Sequence, residues 1–178
     1  MTFSTRVPGS LDANAIAKAI AELRRSGASY VDLTESNPTR AGFDYPADLL
    51  TPLGDARGLA YRPDALGLLT AREAVSEDFT RRGLDMPPDR LALTASTSEA
   101  YSLLFKLLCN PGDAVLVPQP GYPLLRVLAE LAHVELVPYP LLHDGTWSID
   151  QQGLTQILAA TPRARALVVV APNNPTGN

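Results

Sequence analysis

The run ARALVVVA at residues 164–171 limits what this chain can fold into more than any other segment of the sequence. Large apolar residues follow one another at 167–170, without the apolar and polar alternation of a sheet that has one face in water. We therefore predict a strand over 164–171 that is covered on both faces. Strands of this kind are typical of parallel sheets that lie between layers of helices.

The predicted elements before this run alternate between strands and helices. Apolar runs predict strands at 30–33, 91–94, 113–117, 134–137 and 147–149. Helical spacing predicts helices at 10–25 (with Ser10 as the cap), 65–82, 96–108, 121–131 and 150–160, and residues 35–63 are predicted to be mostly loop. This alternation predicts an α/β fold with a mostly parallel central sheet. Because the sequence stops soon after the strongest strand, we expect that sheet to be incomplete at its C-terminal side.

Composition and charge argue against several classes of protein. The chain of 178 residues is 46% hydrophobic and 19% charged, which is typical of a globular protein with a real core. A net charge of −4 without a block of Lys and Arg argues against a nucleic-acid partner. The sequence shows neither a signal-peptide pattern nor a membrane-length apolar run, so we expect no membrane partner and a cytoplasmic location. Cys109 is the single cysteine, and His133 and His143 are too isolated to suggest a metal site.

Three hydroxyl residues, Ser96, Thr97 and Ser98, stand between the predicted strand at 91–94 and the amphipathic helix that follows. Serine and threonine supply N-cap oxygens, and the first amides of a helix have no acceptor inside it. A strand that leads into such a helix start is a place where a phosphate can bind. An ordinary capped helix is the alternative reading, since caps are far more common than bound phosphates.

Two more turns carry candidate binding residues. Tyr122 lies in PQPGYP at 118–123, and Asn174 lies in APNNPTG at 171–177, directly after the predicted strand at 164–171. In open α/β sheets, ligands bind beyond the carboxyl ends of the strands. Taken alone, each segment can also be a plain turn, because Pro, Gly, Asn and Thr all favour turns.

These segments, preceded by Tyr61, Gly67 and AREA at 71–74, resemble in this order the class I/II (aspartate aminotransferase-like) family of fold-type I pyridoxal-phosphate-dependent aminotransferases. The resemblance covers about 33–178, and NNPTG is its most specific motif. It implies a three-layer αβα sandwich with a mostly parallel central sheet. It also assigns residues 1–62 to the N-terminal arm and substrate-covering loop, as part of a small domain, and residues 63–178 to the first half of the large cofactor-binding domain.

The resemblance implies pyridoxal 5'-phosphate as the cofactor and gives roles to individual residues. Ser96, Thr97 and Ser98 would bind its phosphate, Tyr122 would stack on its pyridine ring, and Asn174 would donate to its phenolic oxygen. Tyr61 would reach the phosphate of the partner subunit's cofactor, which implies a homodimer for the full-length form. Asn37 would contact the substrate carboxylate. The resemblance also suggests cis peptide bonds before Pro120 and Pro175.

The chain has only two lysines, Lys18 and Lys106, and both lie in predicted helices. The family's Schiff-base lysine comes after the NNPTG motif, so we expect this chain to be a fragment without it. The implied reaction is transfer of an amino group from an amino acid to a 2-oxo acid. A related lyase or decarboxylase, and a non-catalytic remnant or effector domain, stay open as alternatives. A different phosphate-binding α/β protein has no support, because neither G-x-G-x-x-G nor G-x-x-x-x-G-K-[ST] occurs.

We predict that the 178-residue chain alone does not catalyse amino transfer, because no lysine stands where the family needs one. The measurement is turnover of an amino acid and a 2-oxo acid by a preparation free of host enzymes. Measurable turnover would contradict the prediction.

Overall fold

The structure, a computed structural model, describes residues 4–7, 12–33 and 36–178. They form two compact units, one within residues 10–93 and one made of residues 94–178 together with 4–7. No helix in these described ranges has both the length and the apolar character needed to cross a bilayer.

The unit within residues 10–93 contains two α-helices, α1 (Ala15–Ser26) and α2 (Leu69–Arg81). Short 3-10 turns lie at Thr51–Gly54, Ala56–Leu59 and Pro88–Arg90. The prediction that residues 35–63 are mostly loop is confirmed where the structure describes them. The Asn14 side chain caps α1 by accepting from the Ala17 amide, and the predicted cap Ser10 lies outside the described residues.

The helix predicted at 65–82 begins four residues later than expected, at Leu69. Residues 64–67 form a turn in which the Gly67 amide donates to the Asp64 carbonyl. Gly67 has a φ of +88°, which a right-handed helix cannot contain. The buried Arg72 side chain holds this turn against α2 by donating to the Gly67 carbonyl at 2.9 Å and the Pro88 carbonyl at 2.7 Å.

The strands predicted at 30–33 and 91–94 are wrong, because neither segment forms a ladder with another strand. Val31 and Leu33 are exposed. In the second segment the Leu91 amide donates to the Pro88 carbonyl and the Leu93 amide to the Leu66 carbonyl, and neither acceptor belongs to a strand. An apolar run becomes a strand only where a neighbouring strand satisfies its backbone groups.

The unit of residues 94–178 alternates helices and strands as predicted. Its elements are α3 (Thr97–Leu108), β1 (Ala114–Gln119), α4 (Leu124–Ala132), β2 (Glu135–His143), β3 (Trp147–Ile149), α5 (Gln151–Ala160) and β4 (Ala164–Leu167). α4 begins at Leu124 and not at residue 121, because residues 121–123 belong to a tight turn. A Cβ at Gly121 would collide with the Pro118 carbonyl oxygen.

The four strands form one sheet in the order β3-β2-β1-β4. β1 is parallel to both neighbours, with Leu116 opposite Val137 on β2 and Leu167 on β4, and only β3 is antiparallel. α3 and α4 cover one face around Val115, and α5 covers the other face around Leu116. The predicted three-layer αβα sandwich with a mostly parallel sheet is confirmed.

The predicted burial of the run at 164–171 is wrong for the described residues. β4 ends at Leu167 and pairs with β1 on one side only. Val168 still packs against the α3–α4 layer, but Val169 is 57% exposed. A continuous apolar run is buried on both faces only when neighbouring elements cover both faces along its whole length, and the described residues leave Leu167 and Val169 exposed.

Tyr139 on β2 holds the chain directly after β4 in place. We predict that Tyr139→Phe lowers the free energy of unfolding by about 1 kcal/mol, because one buried hydrogen bond is lost. Its hydroxyl donates to the Val168 carbonyl at 2.8 Å, and the side chain is 1% exposed. Burial raises the pKa of this phenol. The unfolded phenol ionises near pH 10 while the folded one keeps its proton, so stability falls as the pH rises above about 10.

Urea unfolding between pH 8 and pH 11 measures both effects, with the exposed Tyr45→Phe as the matched control. The alkaline loss of stability should be smaller in Tyr139→Phe than in the unsubstituted chain. Equal stability of the two variants at pH 8 would contradict the role of the buried hydrogen bond.

Candidate functional site

Three candidate segments lie at one edge of the sheet in the unit of residues 94–178. β1 and β4 are parallel neighbours, so the loops that follow them, 118–123 and 171–178, leave at the same edge. α3 runs antiparallel to these two strands. This is shown by the carbonyl of its last residue, Leu108, which accepts from the Arg165 side chain near the start of β4. A helix of twelve residues is about 18 Å long, which places its N-terminus towards the edge with the two loops.

The N-terminus of α3 is closed by a variant of the capping box, in which the glutamate accepts from the amide before the cap residue. The Ser96 hydroxyl accepts from the Glu99 amide at 3.1 Å, and the Glu99 carboxylate accepts from the Ala95 amide at 2.6 Å. The cap at Ser96 is confirmed, and the partner Glu99 was missed although S-x-x-E at 96–99 is a known signature of this motif. The Ala95 amide is therefore already engaged and is not available to an anion.

The amides of Thr97 and Ser98 remain for a ligand. They lie in the first turn of α3, and neither has an acceptor among the described residues. The positive end of the helix dipole lies at the same point. Exposed amides and hydroxyls at a helix start have the donor chemistry that a phosphate needs, so this turn fits an anionic phosphate group.

Tyr122 is positioned by the tight turn between β1 and α4. Its half-buried ring packs against the cluster that includes Phe105, Val117 and Leu125. An open cavity of about 750 Å³ lies alongside, between α4 and the neighbouring strands, and Tyr122 forms part of its wall. Neither Ser96 nor Asn174 lines that cavity, so we do not assign it to the same ligand.

Asn174 is exposed in the loop after β4, and its side-chain amide has no hydrogen-bond partner within the described ranges. Its neighbour Asn173 is buried and was not singled out from the sequence. The predicted cis bonds before Pro120 and Pro175 are confirmed, and a third cis bond, before Pro172, was not predicted. Because β1 and β4 are parallel neighbours, the loops of Tyr122 and Asn174 lie at one edge of the sheet, towards which the N-terminus of α3 also points.

Tyr61 and Asn37 belong to the other unit, within residues 10–93. The Tyr61 side chain is 92% exposed. The Asn37 side-chain oxygen accepts from the Thr39 amide at 3.0 Å and the Thr39 hydroxyl at 2.6 Å, which closes a local turn. The predicted contacts of Tyr61 with a partner's cofactor and of Asn37 with substrate stay predictions.

Lys106 stands in the last turn of α3, at the opposite end of the helix from Ser96. Ten residues of helix separate the two positions by about 15 Å along the axis. Lys106 is therefore not a group of the phosphate-binding turn.

Comparison with known proteins gives the same family as the motifs. The model of the family described as Aminotransferase class I and II matches residues 28–178. Glutamate-pyruvate aminotransferase AlaA of Escherichia coli (strain K12) is 31% identical over 167 residues, which make up 91% of this chain and 40% of that protein. S-alkyl-thiohydroximate lyase SUR1 of Arabidopsis thaliana is 35% identical over 128 residues, 71% of this chain and 27% of that protein. The chain thus spans two fifths or less of the length of these curated relatives.

Among solved structures, alanine aminotransferase from Pyrococcus furiosus aligns with a TM-score of 0.82 and 30% identity. The alignment covers 99% of this chain and 46% of that chain. The arrangement of helices around the sheet is therefore shared with a solved aminotransferase.

The cap of α3 gives a direct test of this turn. We predict that Ser96→Ala lowers the free energy of unfolding by about 1 kcal/mol, because the Glu99 amide loses its acceptor. Thr97→Ala is the matched control, since the Thr97 hydroxyl makes no hydrogen bond among the described residues, and it should change stability by a few tenths of a kcal/mol. Urea unfolding followed by circular dichroism measures both, and equal losses would contradict the capping geometry.

Proposed function

Because this chain belongs to the aminotransferase class I and II family, we propose that it serves a pyridoxal-phosphate-dependent aminotransferase, which passes an amino group from an amino acid to a 2-oxo acid. One observation carries the proposal: the start of α3 and the loops of Tyr122 and Asn174 face one edge of the sheet. The phosphate, the aromatic ring and the phenolic oxygen of the cofactor each complement one of these three places.

The amides and hydroxyls of Thr97 and Ser98 hold the cofactor phosphate, with Ser96 as the cap that keeps them oriented. The Tyr122 ring stacks on the pyridine ring. The Asn174 amide donates to the phenolic oxygen, and a donor to the charged form lowers the pKa of that oxygen. When bound, the cofactor supplies an electron-accepting ring for amino-acid chemistry. Its orientation, and the exclusion of water from its ring face, come from the residues named here.

The division of the chain and its partners follow the same proposal. Residues 1–62 act as the arm and substrate-covering loop, and residues 63–178 as the first half of the cofactor-binding domain. The exposed Tyr61 supports a homodimer in which it reaches the partner subunit's cofactor, and Asn37 lies in the loop towards the substrate. The single Cys109, which cannot form an internal disulfide, supports a cytoplasmic location.

A lyase that uses the same cofactor is the second candidate. The 35% identity to S-alkyl-thiohydroximate lyase supports it, because that match includes a large part of this chain. The two reactions differ in what they need: amino transfer depends on a 2-oxo acid as acceptor, whereas elimination proceeds without one. Product formation with and without a 2-oxo acid, in the protein that contains this chain, separates the two candidates.

Binding of pyridoxine 5'-phosphate tests the proposed site without covalent chemistry, since this probe lacks the aldehyde and cannot bond to Lys18 or Lys106. We predict that Tyr122→Ala weakens binding by about 3- to 10-fold and Asn174→Ala by about 5-fold, from the loss of a stacking contact and a hydrogen bond. Tyr122→Phe keeps the ring and should bind the probe as the unsubstituted chain does.

Titration calorimetry measures these affinities. If Tyr122→Phe and Tyr122→Ala weaken binding equally, the ring does not stack on the probe. If the probe does not bind the unsubstituted chain, the proposed cofactor site is refuted.

A further inference from the structure

Asn173 is the most enclosed polar side chain at the edge of the sheet where the candidate residues lie. It is 5% exposed, although it stands in a surface loop between the exposed residues Pro172 and Asn174. Burying an amide requires hydrogen bonds that replace water. The contacts of this side chain therefore show what it does in the loop.

Both amide hydrogens of Asn173 are used, in two different directions. Nδ2 donates to the Thr176 hydroxyl at 2.7 Å within the same loop, and to the Pro120 carbonyl at 3.2 Å in the loop after β1. The Pro120 carbonyl can only accept, so it fixes which end of the amide faces it. Oδ1 is buried without a donor among the described residues. An unpaired buried acceptor is destabilising. The side chain is therefore not optimised for stability, and the two bonds that its amide donates are the contacts that its burial provides.

The bond to Pro120 is the tie between the two loops. The ladder of β1 and β4 ends at Leu116 and Leu167, with one more bond from the Val168 amide to the Leu116 carbonyl. Beyond that point, the Asn173–Pro120 contact is the single hydrogen bond between 118–123 and 171–178 in the described part of the chain. The prolines at 118, 120 and 123 have no amide hydrogen, which leaves the first loop few donors of its own.

We propose that Asn173 is a positioning residue: it fixes Tyr122 relative to Asn174 by bridging the two loops that present them. Asn174 is the next residue along the chain, and Tyr122 follows the bridged carbonyl by two residues. An aromatic face and an amide donor that serve one flat ligand must keep a fixed separation, and no ladder sets it here. The effect of this bridge on ligand binding rests on the proposed function, whereas the bridge itself does not.

The bridge is tested first without any ligand, by NMR of this chain. Asn173→Ala should shift the amide signals of Gly121 and Tyr122, in the other loop, because the Pro120 carbonyl loses its donor. Thr176→Val is the matched control: it removes the other acceptor of the same amide and should leave the signals of 118–123 in place. Unchanged Gly121 and Tyr122 signals in Asn173→Ala would overturn the proposal, whatever the fate of the cofactor site.

The consequence for binding is tested with pyridoxine 5'-phosphate. Asn173→Ala should weaken binding by about 5-fold, and Thr176→Val by less than about 2-fold. In a chain that already carries Tyr122→Ala and Asn174→Ala, adding Asn173→Ala should change the affinity by less than about 2-fold, because the residue acts through those two. An equal loss in both backgrounds would show a merely structural role and overturn the proposal.

Asn173→Asp is the second variant, in case Asn173→Ala does not fold. Its carboxylate keeps the shape of the side chain but offers the Pro120 carbonyl no donor, so the same shifts and the same loss of affinity are expected. If the probe binds no variant and not the unsubstituted protein either, the cofactor proposal fails, and the NMR comparison still decides the bridge.

Discussion

Burial of β1 on both faces is the constraint on which the unit of residues 94–178 depends. Val115 and Leu116 are both fully buried, one against the α3–α4 layer and the other against the α5 layer. Each such side chain contributes about 1.5–3 kcal/mol relative to exposure. Because β1 also bonds to β2 on one side and β4 on the other, its burial fixes the direction of both neighbours and therefore the edge at which their loops leave.

The same constraint shapes the electrostatics of the candidate site. α3 runs antiparallel to β1 because only residues 109–113 connect them, and this orientation presents the positive end of its dipole at the edge where the loops end. Glu99 adds a negative charge to that end and occupies the Ala95 amide. The amides left without an acceptor at this turn are therefore those that come after the cap, at Thr97 and Ser98.

The sequence predicted what is local and missed what depends on partners. The hydroxyl cap of α3 and the layered α/β architecture could be predicted, because caps and apolar periods act within one element. The strands at 30–33 and 91–94 were predicted wrongly, since a strand exists only with a neighbour. Asn173 was missed because its sequence neighbours are all turn formers, and nothing local separates a buried asparagine from an exposed one.

The reason why Asn173 could not be predicted also explains its role beside the candidate site. Prolines make both loops stiff, but they also remove the amides with which two adjacent loops would otherwise bond to each other. A side chain must then supply the missing donor, and asparagine is short enough to be buried while it donates in two directions. The bridge is thus a property of two loops, one after each of two parallel strands, and 53 residues separate its ends in the sequence. Only the fold, by setting β1 beside β4, makes the position of Asn173 meaningful for Tyr122.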